Sequence, residues 1–136
     1  MDIRDLNFKP DPADLLIVAL GGTTANVAEY ENGRATGNFV TRNGGTVRRV
    51  AGVSVALAGR GLDGVTVETS TAIDALAPGT VLKPAGEIEF TVRPTARAGF
   101  NGRPPSASLR VTAYFERLVP VGSVGSVVKR GGGSDA

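Results

Sequence analysis

Apolar residues in this chain recur mostly with a period of two, the spacing of strands. Leu15 to Leu20 is a short apolar run closed by Gly21-Gly22, which predicts a strand over 15–20 buried on both faces. Over 47–57, Val53, Val55 and Leu57 alternate with Ser54 and Ala56. Val50 falls out of that phase and Gly52 stands where the phase shifts, so a bend or bulge is expected there. Val65 and Val67 mark a third strand over 65–69. Ile88, Phe90 and Val92 alternate with outward Glu87, Glu89 and Thr91 over 87–93, and Leu109, Val111, Ala113 and Phe115 with Arg110, Thr112 and Tyr114 over 108–116. The inward set predicted to share the core is Val53, Val55, Val65, Phe90, Val92, Val111 and Phe115.

One stretch favours helix. Ser70 or Thr71 can cap, Asp74 follows Thr71 by three, and Pro78-Gly79 ends the segment, so a short helix is expected over 71–77. Three strands, one short helix and two strands is the order of the five-stranded, Greek-key barrel of OB type. An immunoglobulin-like sandwich is the alternative, but it asks for about seven strands and has no place for the helix. The expected organisation is an N-terminal arm over 1–14, an OB-like barrel over 15–118 and a flexible tail over 119–136 that ends in a glycine-rich run.

Composition narrows the chemistry. The 136 residues make one domain and contain no His and no Cys. That removes imidazole bases, the usual triads, thiolate nucleophiles, disulfides and iron–sulfur ligation. Glu87 and Glu89 share one strand face as a carboxylate pair would, yet no base or metal-ligand set accompanies them, and strand alternation explains them equally well. Ala19-Leu20-Gly21-Gly22-Thr23-Thr24 follows a strand but lacks the lysine and the spacing of a phosphate loop. The chain is thus expected to be no enzyme and to need no cofactor or metal. Charged residues interrupt its first 14 positions, and no apolar run reaches membrane-spanning length, so a cytoplasmic protein without membrane contact is expected.

Net charge is only +2, but the bases are unevenly placed. Between Tyr30 and Arg60 stand Arg34, Arg42, Arg48, Arg49 and Arg60 against Glu31 alone, and between Arg93 and Arg110 stand Arg93, Arg97, Arg103 and Arg110 with no acid. On the OB reading these stretches hold the loops that flank the oligonucleotide face, and both are expected at one end of the barrel. Each carries Asn-Gly steps beside arginine: Asn32-Gly33-Arg34, Arg42-Asn43-Gly44 and Asn101-Gly102-Arg103. Such steps are hairpin turns first, and a flanking guanidinium can also fork onto phosphate. Phe39 and Phe100 lie in the same loops, where an exposed ring can stack a base, though Phe39 can equally plug the barrel mouth; Tyr30 is a third stacking candidate, for which core packing is the preferred reading. The residues expected to bind nucleic acid are Arg34, Arg42, Arg48, Arg97, Phe100 and Arg103.

Between residues 27 and 118 the chain resembles a family of small single-stranded-DNA-binding-like accessory proteins of Gram-positive conjugative elements and plasmids. The likeness is carried by Glu29-Tyr30, Thr41-Arg42-Asn43-Gly44-Gly45 before a valine-rich strand, and Val65-Thr66-Val67. It continues through Ala77-Pro78-Gly79, Phe90-Thr91-Val92-Arg93-Pro94 and Asn101-Gly102-Arg103. The resemblance implies an OB fold and nonspecific binding of single-stranded DNA, or RNA, in replication or transfer of a mobile element, with a helicase or relaxase as a partner and homo-oligomers allowed. Few aromatics and few lysines set this chain apart from that family. The competing expectation is a structural or assembly β-barrel of a phage or plasmid that binds another protein through a sheet edge.

Overall fold

β-branched residues that alternate with polar ones cannot bury a helical stripe, and they build this molecule from strands. The computed structural model describes residues 5–73, 77–99 and 101–124. Its strands are, in chain order, β1 (Leu6–Phe8), β2 (Leu15–Ala19), β3 (Thr24–Asn26), β4 (Ala28–Glu31), β5 (Arg34–Phe39), β6 (Thr41–Arg42), β7 (Gly45–Thr46), β8 (Arg48–Val50), β9 (Val53–Leu57), β10 (Arg60–Leu62), β11 (Val65–Thr69), β12 (Thr80–Arg97) and β13 (Ser106–Ser123). The fold is all-β. Among the described residues a single 3₁₀ turn, Pro12–Asp14, leads into β2, with the Asp11 carboxylate accepting the Ala13 N–H at 2.9 Å.

The main sheet has the order β10-β9-β2-β12-β13-β11-β8-β3, with β1 added to β12, and this hydrogen-bonded path is open, not closed into a barrel. β11 runs parallel to β13; the other pairings are antiparallel. β8 and β9 stand near opposite flanks of the path, yet only Ala51-Gly52 separates them in the chain. Three Cα steps of about 3.8 Å tie Val50 to Val53, so the flanks of the sheet come round toward each other. The expected bend at Gly52 is present: its φ is +68°, and a Cβ at the facing Gly22 would lie 1.5 Å from the Ala51 carbonyl oxygen.

The curled sheet encloses one cluster that includes Ile17, Val55, Val67, Leu82, Phe90 and Phe115. Phe90 and Phe115 meet edge to face with ring centroids 5.9 Å apart, and Phe8 of β1 closes over Phe90 at 5.3 Å. Of the predicted core, Val55, Phe90 and Phe115 are buried, and Val53, Val65 and Val111 pack half-buried against them. Val92 is half-buried opposite Leu6, and Leu109, predicted inward, is 68% exposed because the sheet beneath it has ended.

Several boundaries differ from expectation. The third strand lies where predicted, while the fourth and fifth extend to 18 residues each. The segment expected as an arm holds β1, and β13 runs on to Ser123, beyond the expected end of the barrel. Of the helix expected over 71–77, residues 71–73 and 77 are not helical, and 74–76 lie outside the described residues. The hydroxyls expected to cap it point elsewhere. Thr71 donates to the Glu116 carbonyl at 2.9 Å, and Ser70 donates to the Arg42 carbonyl at 2.7 Å. No helix among the described residues is long and apolar enough to cross a membrane.

Candidate nucleic-acid interface

The two arginine-rich stretches do not share an end of the sheet. The first connection follows the chain segment that includes β2, the second follows β12, and β2 and β12 are antiparallel neighbours, so the connections leave in opposite directions. Arg42 reaches Glu89 on β12, eight positions before Arg97, a separation of roughly 26 Å along an extended strand.

At the first end, Asn43-Gly44 makes the expected tight turn between β6 and β7, with φ of +52° and +78°. Gly45 lets this turn lie on the end of β11, since a Cβ there would stand 2.5 Å from the Ser70 carbonyl oxygen. Arg42 is thereby set over the Tyr114 ring at 3.9 Å, and its guanidinium bonds Glu87 at 3.0 Å and Glu89 at 3.2 Å. Asn43 donates to Glu87 at 2.9 Å and to the Tyr114 hydroxyl at 3.0 Å. Glu87 is aimed by a bulge at Gly86, whose φ is +75° and where the Glu116 carboxylate accepts the Glu87 N–H at 2.9 Å. The Arg42 and Asn43 hydrogen bonds hold the Glu87 carboxyl below the usual carboxylate range, and the Glu87 hydrogen bond raises Arg42 further. Tyr114 lies on the outer face as its phase predicts, yet it is buried because this turn covers it.

At the second end, among the described residues, only the arginine at the root has a carboxylate partner. Outward of the Arg93–Arg110 pair, no third strand joins β12 and β13 among the described residues: β1 begins with Leu6 opposite Val92, and β11 begins opposite Val111. About 13 Å of two-stranded ribbon therefore extends from the sheet, pinned by the Thr95–Ser108 hydroxyl pair at 2.6 Å. Its tip turns through Asn101-Gly102, with φ of +51° and +79°. Gly99 passes so near that a Cβ would meet the Arg103 carbonyl oxygen at 2.7 Å. Arg103 and Arg110 are exposed and have no ion-pair partner among the described residues. At the root, Arg93 is gripped by Asp5 through two hydrogen bonds of 2.9 Å each, and the Arg93 contact lowers the Asp5 carboxyl below its ordinary value.

Between the two ends lies a polar groove of about 710 Å³ on the outer face of the sheet. The register places Asn7, Thr91, Thr112 and Thr66 in one row across four strands, and the charged residues lining the same groove are Arg93, Arg110 and Arg49 with Asp5 and Glu89. Alternation on the outer face, visible in the sequence, could have found the threonine row; the strand partners that assemble it could not be read there.

The remaining expected residues are dispersed. Arg34 is exposed at the β4–β5 turn, and Arg48 is half-buried on β8, donating to Asn26 at 3.3 Å. Arg97 ends β12, but its side chain is not described, and Phe100 lies outside the described residues. Phe39 is 49% exposed, so it does not plug the core. Among the described residues no group of three or more carboxylates could hold a metal ion. No family model, curated protein or solved structure matches the chain.

Proposed function

We propose that this protein binds single-stranded nucleic acid without catalysis, taking the backbone on the β12–β13 ribbon and along the polar groove at its root. The observation that carries this reading is the ribbon itself, a two-stranded extension whose residues 93–110 hold four arginines and no acid. Exposed guanidiniums fork onto phosphates and position a strand without reading bases. The pairing order supports an OB-type reading of the fold. The segment containing β2 and β3 pairs with that containing β8 and β9, β8 with β11, β11 in parallel with β13, β13 with β12, and β12 again with β2. On that reading the groove, which reaches from β12 across β13 and β11 to Arg49 on β8, overlaps the face of the second and third strands on which that fold binds oligonucleotides. Of the residues first expected to bind, Arg103, Arg97 and Phe100 stay in the proposal with Arg93 and Arg110 added. Arg34 and Arg48 are peripheral to it, and Arg42 becomes a brace of the fold. A helicase or relaxase of a mobile element is the protein partner that the family resemblance adds.

Fluorescence anisotropy of a labelled 20–30-mer at low salt tests the proposal. Micromolar binding with little base preference is expected, its log affinity falling by about 0.7 per log unit of salt for each phosphate neutralised. No binding would overturn it. A second reading, docking of another protein by strand addition, is favoured by β13 between Leu118 and Gly122, which pairs with β12 alone and exposes Val119 and Val121.

A further inference from the structure

Tyr30 is not in the core. It stands on β4 with 67% of its surface exposed, beside a second groove of about 490 Å³. Beside Tyr30 it is lined by Ala25, Val27, Ala28 and Ala51, by Thr23 and Asn26, and by Arg49, with no acidic residue among them. Arg49 also lines the polar groove of the sheet face, so the two grooves meet at one guanidinium. One Arg49 amine bonds Glu68 at 3.2 Å while the side chain stays 58% exposed, which holds the guanidinium in place and leaves N–H donors for a ligand.

We infer that this second groove receives an unpaired nucleobase stacked on Tyr30, with Arg49 holding the adjacent phosphate. The inference rests on the nucleic-acid reading and extends it to a site on the side of the sheet away from the ribbon. A groove lined by several small apolar side chains and one exposed phenol ring suits a planar aromatic group. The exposed Arg49 guanidinium, which keeps free N–H donors beside its Glu68 bond, suits a planar group that carries a negative charge next to it. An aromatic face stacks any base, so the site adds affinity and little sequence preference.

The chain contains no Trp and two Tyr, and the other, Tyr114, is buried beneath Arg42. Tyrosine emission of the full chain thus has one exposed reporter. Titration with a 20-mer of thymidylate should quench that emission along the same curve as the anisotropy of the labelled oligonucleotide. Tyr30→Leu should abolish the quenching and weaken binding by about 5- to 150-fold, the worth of one base–aromatic stack, while Tyr30→Trp should restore both. Undiminished anisotropy binding in Tyr30→Leu, with wild-type emission unchanged on titration, would overturn the inference and leave the proposed function standing. Absence of any anisotropy binding by the wild type would overturn both.

Discussion

The Arg42 cluster and the β12–β13 ribbon look alike as charge counts and are opposites as structures. Both are arginine-rich, both turn through Asn-Gly, and both border the same sheet face. At the first, Glu87 and Glu89 arrive from 45 and 47 residues away and take the guanidinium. At the second, no strand comes alongside among the described residues, and Arg103 and Arg110 face solvent. An arginine gripped by two carboxylates over an aromatic ring, as Arg42 is, has little left to offer a ligand, and local sequence does not show that.

Both regions stand on the same core, so the largest effect should come from beneath them. Phe90→Ala should cost about 3–5 kcal/mol in denaturant titration; a loss under about 1 kcal/mol would show that neither region depends on that core. Next, Arg103→Ala with Arg110→Ala should flatten the salt dependence of oligonucleotide binding by about 1–2 units while leaving the melting temperature in place. Arg42→Ala should do the reverse, lowering the melting temperature with the salt slope unchanged. If Arg42→Ala flattened the slope instead, the two regions would not differ as described.

A finer distinction is in pH. Glu87 has a depressed pKa in the folded state, so its contribution to stability is present above the ordinary glutamate pKa and is lost as pH falls through the depressed value. Arg42→Ala should remove that part of the acid sensitivity, as measured by melting curves between neutral and acid pH. The smallest expected change concerns the root of the ribbon. Asp5 occupies Arg93 as a phosphate would, so Asp5→Asn should tighten oligonucleotide binding a few-fold and steepen the salt slope by up to about 0.7. Weaker binding would mean that Asp5 positions Arg93 for its ligand.

Much of the core was legible because period-two alternation is local: Val55, Phe90 and Phe115 follow from it, as does the bend at Gly52. The Asn-Gly turns were legible for the same reason. What escaped was decided at long range. Ser70 and Thr71 have the chemistry of helix caps, but the neighbouring Arg42 and Glu116 carbonyls claimed their hydroxyls. Arg42 read as a free base because its carboxylates lie a strand away, and Tyr30 read as core because nothing local says that its hairpin stands clear of the sheet.

The ribbon, and not the Arg42 cluster, is proposed to meet the phosphates. The most direct test is the salt dependence of oligonucleotide affinity, measured side by side for the wild type, the Arg103→Ala, Arg110→Ala double variant and Arg42→Ala. The account predicts a flatter slope in the double variant alone; equal slopes in all three, or a flattening confined to Arg42→Ala, would contradict it.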